Sequence, residues 1–209
     1  MAKKELPLQE LAHYLPEGTY QPVMDYLHHY KVHLTIAKNR KSILGDYRHK
    51  RDSQHHRISV NGNLNKYAFL ITLLHELAHL ITFEIHHNRV QAHGKEWKDI
   101  YGQVLAQFIG KKVFPQDIEI ELLRTLRNPG ASTCSEERLQ RVLYRYDSPS
   151  KEGHLLVEQV PEGSLFKTND GRVFRRGKKR TKRYYCVEIS TARAYLFSAI
   201  YEVQLIEKI

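Results

Sequence analysis

The stretch Asn65-Lys66-Tyr67-Ala68-Phe69-Leu70-Ile71-Thr72-Leu73-Leu74-His75-Glu76-Leu77-Ala78-His79-Leu80-Ile81 decides how this chain is read. Phe69, Leu70, Leu73, Leu74, Leu77, Leu80 and Ile81 recur at helical spacing and make a broad apolar face, and Asn65 stands where an N-cap belongs. Inside this helix His75 and His79 are four residues apart. They are therefore offset by only about 40° around the axis and one turn along it, and both imidazoles can reach one metal ion. Glu76 follows the first histidine directly, where a carboxylate can accept a proton from a water beside the metal instead of ligating it.

Working outward, the polar stretch 86–91 leads to a second helix marked by Trp97, Ile100, Tyr101, Val104, Leu105 and Phe108 and closed by Gly110. Its first turn is expected to hold His93. With His93 as third ligand, one coordination position stays open, which separates a catalytic zinc site from a closed structural one. Glu96, His86 and His87 compete for that role. His86 and His87 lie too close in sequence to fold back, Glu96 would suit a site of two histidines and a glutamate, and position favours His93. One Zn2+ is expected.

Upstream, residues 8–15 and 22–30 have helical spacing. Val32, Leu34 and Ile36 then alternate with His33, Thr35 and Ala37 as in a strand, and 43–49 and 55–60 read as two more. A small antiparallel sheet is expected before the site helix. Downstream, 118–126 reads as a helix before Asn128-Pro129-Gly130, and 139–146 as a shorter one. Beyond it, 154–160, 164–167, 172–175, 183–189 and 201–206 look strand-like, with glycines at the bends. The expected organisation is a mixed α+β domain over 1–128, a linker with a short helix over 129–150, and a basic β-rich appendix over 151–209.

Composition narrows the class. Hydrophobic residues at 41% and charged residues at 27% are ordinary globular usage. Thirty-three Lys and Arg against 23 Asp and Glu leave a net charge of +10, which favours contact with polyanions such as nucleic acid. Cys134 and Cys186 make no disulfide framework and no Cys-x-x-Cys knuckle. The N-terminus has no export pattern, and the apolar stretch 67–83 carries His75, Glu76 and His79 in its middle, so a cytoplasmic protein without membrane association is expected.

The run His75-Glu76-Leu77-Ala78-His79, then His93-Gly94 and Trp97-Lys98, preceded by Leu44-Gly45-Asp46-Tyr47-Arg48 and Ile58-Ser59-Val60-Asn61, resembles the SprT-like metalloprotease family over roughly residues 8–126. That family is similar to Spartan, a DNA-dependent protease of DNA-crosslinked proteins. The resemblance implies zinc held by three histidines, with His93 matching the third, and Glu76 matching the catalytic glutamate. It implies protein substrates at DNA. Beyond the metal, Tyr47, Arg48 and Tyr101 are oxyanion-stabilising candidates by residue type alone.

Arg172, Arg175, Arg176, Lys178, Lys179, Arg180, Lys182 and Arg183 place eight cations in twelve positions, followed by Tyr184 and Tyr185. Cations that neutralise phosphates beside aromatics that stack on unpaired bases suit single-stranded DNA or duplexes with exposed bases. The region resembles, in outline, the C-terminal zinc ribbon of SprT-like proteins, but without its four cysteines, so packing must replace the metal. The rival reading is a nucleic-acid-binding or transcription-associated factor whose zinc site is structural or weakly active.

Overall fold

The computed structural model describes residues 8–38, 40, 43–50, 55–127, 137–147 and 153–206. Apolar residues separated by Pro16, Gly18 and Pro22 fold as a 3-10 helix, Leu8–Tyr14, and helix α1, Tyr20–His29, which buries Val23, Met24 and Leu27. The alternating run becomes strand β1, Val32–Ala37, and two further strands follow: β2, Gly45–Arg48, and β3, His56–Asn61. They form one three-stranded sheet in the order β1-β3-β2.

This sheet is mixed, which corrects the antiparallel expectation: β1 runs parallel to β3, and β2 antiparallel to it. Alternation assigns a residue to a face of a sheet but carries no information on the direction of the neighbouring strand. Here the direction is tied down by polar groups in the β1–β2 connection. Arg40 donates from Nε to Asn61 Oδ1 (2.7 Å) and from Nη1 to Ser59 Oγ (2.9 Å). Asn61 returns its amide N–H groups to the carbonyls of Arg40 (3.2 Å) and Ile43 (3.0 Å).

Helix α2, Lys66–His86, comes next. Asn65 caps it, its side-chain oxygen accepting the Ala68 N–H at 2.9 Å. Twenty-one residues span about 31 Å, and most are buried, His75 and Glu76 among them. Among the described residues this is the one helix long and apolar enough to cross a membrane, and that stretch is mostly buried inside the protein. Helix α3, Lys95–Gly110, and helix α4, Gln116–Arg127, pack after it, and helix α5, Glu137–Tyr144, adds Leu139, Val142 and Leu143 to the same core. The Asn65 amide also donates to Leu143 O (2.9 Å) and Asp147 Oδ1 (2.8 Å). The chain divides into two compact units, Met1–Asp147 and Ser148–Ile209, so α5, expected within a linker, packs in the first.

The second unit is an antiparallel six-stranded sheet in the order β4-β9-β5-β6-β7-β8: β4, His154–Leu156; β5, Leu165–Lys167; β6, Val173–Arg180; β7, Arg183–Glu188; β8, Ala194–Ser198; β9, Glu202–Leu205. Residues 157–159, expected in a strand, form a 3-10 turn. Strand β8 is not anticipated by the sequence reading, because Tyr195, Leu196 and Phe197 are apolar in succession and hide the period of two. Its core stacks Phe166 on Phe174 (5.6 Å, 19°) and sets Phe197 edge-on to both. Cys186 is buried there as a free thiol, and Cys134 lies outside the described residues.

Candidate metal centre

One turn of α2 puts His75 and His79 on the same side of the helix, and a turn before α3 brings the third histidine to them. Gly94, extended at φ −71° and ψ −170°, is the N-cap of α3, and its N–H closes a turn onto Gln91 O at 3.0 Å. His93 therefore precedes the helix instead of lying in its first turn. His79 Nε2 lies 3.2 Å and His93 Nε2 3.4 Å from His75 Nε2, and one nitrogen from each ring falls within 4.8 Å of the others. Around a tetrahedral ion with bonds of 2.0–2.1 Å, neighbouring donor nitrogens stand about 3.3 Å apart. The three rings thus hold a spacing that fits a metal ion, and they are the one such group of ligating side chains among the described residues. Glu96, His86 and His87 are not in it.

The rings rest on Trp97. Its indole is completely buried and lies 4.7 Å from His75, 5.2 Å from His79 and 4.8 Å from His93, centroid to centroid. Tyr101 stacks beneath it at 5.0 Å. Burial holds all three imidazoles below the ordinary histidine pKa, His75 to about 3 and His79 to about 4. At neutral pH they are uncharged, which is the form that ligates a metal.

Glu76 is 5% exposed. Burial, reinforced by Asp46 and opposed by Arg40 and by the Tyr47 backbone N–H that bonds the carboxylate, pushes its pKa up to about 8. The charge of a bound cation would act in the opposite direction. Strand β2 approaches it with no intervening side chain: a β-carbon at Gly45 would lie 2.6 Å from Glu76 Oε1 and 2.7 Å from Thr72 Cγ2. Gly45 is thus a site residue that sequence reasoning did not single out. A glycine inside a strand pattern is the signal for such a close backbone approach.

His75, Glu76, His79 and His93 open together onto a cleft of about 770 Å³, whose other walls include β2, the segment 87–92 and Gln140 of α5. Of the three oxyanion candidates, Arg48 is exposed and paired with Asp46 at 2.8 Å, and Tyr101 is buried under Trp97. Tyr47 lines the cleft, but its hydroxyl is hydrogen-bonded to His56 Nδ1 at 2.9 Å.

The cations of the second unit are divided by the sheet. Arg175, Lys178, Lys179, Arg180, Lys182 and Arg183 are exposed. Arg176 instead packs its guanidinium 4.3 Å over the Tyr184 ring with Glu162 3.7 Å away, and Arg172 is paired with Asp170 at 2.8 Å. Tyr184 is buried in the core, its ring covered by Arg176 and Lys179, which removes it from the residues able to stack on a base. Tyr185 points to the opposite face, half-buried beside Leu196, with Arg180 5.0 Å over its ring.

The model of the SprT-like family matches residues 10–121, just over half of the chain. No curated protein and no solved structure matches it. The matched segment holds Gly45, His75, Glu76, His79 and His93. The chain belongs to the SprT-like family, which is generally associated with metallopeptidase-like function.

Proposed function

We propose that this member of the SprT-like family is a zinc-dependent endopeptidase of the His-Glu-x-x-His type, acting on proteins bound or crosslinked to DNA. His75, His79 and His93 would hold one Zn2+, and Glu76 would handle the proton. The observation that carries this reading is the convergence of three ring nitrogens at metal-ligand spacing, next to a buried carboxylate, on one open cleft. Zinc in such a site supplies Lewis acidity toward a carbonyl and lowers the pKa of a bound water.

The chain's own groups do the rest. Glu76, held by the Tyr47 N–H, takes the proton of the attacking water and returns it to the leaving amine. Its buried position raises its affinity for that proton, so it can carry the proton through the reaction. Trp97 and Tyr101 close the side of the histidines away from the cleft and fix the rings for ligation.

The second unit supports the DNA part of the proposal. We read it as a ribbon-like module closed by Phe166, Phe174 and Phe197 instead of a metal. Arg175, Arg180 and Arg183 flank Tyr185 and Leu196, the chemistry of a surface for single strands or exposed bases.

The deciding test incubates the zinc-loaded protein with a DNA-binding protein, with and without single-stranded DNA. Cleavage is expected from wild type and not from Glu76→Gln, and equal cleavage by both would reject Glu76 as the base.

A further inference from the structure

Phe83 follows His75 and His79 at the same four-residue interval, which carries the stripe of ligands on by about 6 Å along the axis. Its neighbours Leu80 and Ile81 belong to the hydrophobic core, whereas Phe83 is half-buried, lies outside that core and lines the cleft. His49 stacks against it at 4.5 Å with 19° between the planes, His87 meets it edge-on at 5.6 Å, and Tyr47 stands 6.5 Å away. All three also line the cleft.

This cluster is held from behind. The Tyr47 hydroxyl meets His56 Nδ1 at 2.9 Å, and His56 is buried. Its Nε2 lies 3.1 Å from Glu84 Oε1, an ion-pair distance whose alignment falls short of a hydrogen bond, and Lys50 Nζ approaches the same oxygen at 3.5 Å. Glu84 faces His56 and Lys50 and is not among the residues that line the cleft, so the wall that Phe83 forms with His49, His87 and Tyr47 is built of rings.

Resting on the peptidase reading, we infer that Phe83, with His49, His87 and Tyr47, forms the specificity pocket for a bulky apolar or aromatic side chain of the peptide next to the scissile bond. Successive Cα atoms of an extended peptide are about 3.8 Å apart. With the scissile carbonyl at the three histidines, the adjoining side chain reaches the turn of α2 that carries Phe83. A phenyl or leucyl group gains ring contacts there. A carboxylate or ammonium would lose hydration against the ring faces of Phe83 and Tyr47.

Two measurements test this. In the first, the full-length zinc-loaded protein digests an unfolded protein and the cut sites are mapped by mass spectrometry. Phe, Tyr, Leu or Met is expected at one fixed position beside the cut, and Phe83→Ala is expected to lower kcat/KM for a phenylalanine-containing peptide about tenfold while leaving its alanine counterpart little changed. Phe83→Leu should keep the aliphatic preference.

In the second, Glu76→Gln protein is titrated with N-acetyl tripeptide amides carrying Phe, Gly or Glu at the centre. About tenfold tighter binding of the Phe peptide is expected, and this difference should vanish in the Glu76→Gln/Phe83→Ala protein. Cleavage without side-chain preference, a preference for basic residues, or a preference unchanged by Phe83→Ala would overturn the inference while leaving the peptidase reading intact. Selective binding of the Phe peptide by a protein that cleaves nothing would uphold the pocket and reject the peptidase.

Discussion

Gly45 and Glu76 are packed backbone against carboxylate, with 2.6 Å between Glu76 Oε1 and the place where a β-carbon at residue 45 would stand. Strand β2 thereby sets the position of the carboxylate proposed to move the proton. Gly45→Ala must displace Glu76, Thr72 or the strand, a cost of about 1–3 kcal/mol for overpacking. Thermal denaturation is expected to show that modest loss, and cleavage by the protein that remains folded should fall much further. Wild-type kcat/KM in Gly45→Ala would show that the close approach has no bearing on the chemistry.

Asn61 holds the segment that leads into the same strand, beside Gly45: its N–H bonds Leu44 O at 2.9 Å. It is buried and bonds Arg40 Nε and two backbone carbonyls, so Asn61→Ala leaves those groups unpaired. Unsatisfied buried groups cost about 1–3 kcal/mol each. Urea unfolding is expected to register a loss in this range, with reduced cleavage at temperatures where the variant is folded. An unchanged midpoint would remove the clamp from the account of β2.

Trp97 is the chain's one tryptophan and touches all three histidines, so its fluorescence reports on the site. Zinc addition should change the emission and raise thermal stability, by about 2.7 kcal/mol at a hundredfold excess over Kd. Both effects should be lost in His75→Ala, His79→Ala and His93→Ala. Full zinc binding by His93→Ala would take the third ligand away from that residue.

Metal-free stability should depend on pH in two opposed ways. His75 and His79 have folded pKa values depressed to about 3 and about 4. Their contribution is complete above the unfolded value near 6.5 and is lost as pH falls below it toward the folded values. Glu76 is raised to about 8, so its contribution is complete below its unfolded value near 4.5 and is lost as pH rises through 8. Denaturation of the metal-free protein from pH 5 to pH 9 should therefore show an alkaline decline that Glu76→Gln flattens. The same decline in both proteins would mean that Glu76 does not titrate in that window.

DNA binding should separate the exposed cations of the second unit from the packed ones. Neutralising Arg175, Arg180 and Arg183 together is expected to weaken binding to oligo-dT and shrink its salt dependence, with about 0.7 lost from the log–log slope per phosphate contact removed. Tyr185→Ala should cost about 1–3 kcal/mol if a base stacks there. Arg176→Ala, which uncovers Tyr184, should lower stability more than affinity. Fluorescence anisotropy at two salt concentrations distinguishes these outcomes, and unchanged anisotropy for all three variants would reject the surface.

The site helix was readable because its information is local. The 3.6-residue period, the Asn65 cap and the four-residue interval between His75 and His79 are properties of consecutive residues, and helix geometry converts them directly into space. The family resemblance came from the same short runs. His93 was reachable by position, since a connection of its length can return to the helix it leaves.

What the tertiary structure alone decided involves residues distant in sequence. Parallel pairing of β1 with β3, the facing of Gly45 and Glu76, the gathering of His49, Tyr47 and His87 about Phe83, and the burial of Tyr184 under Arg176 all depend on which surfaces meet. A strand's alternation names its two faces but not its neighbours, and a basic run does not say which of its cations the sheet turns inward. Local sequence determined that this chain has a histidine-bearing helix suited to a metal; long-range packing determined which strand presses on its glutamate and which rings line its cleft.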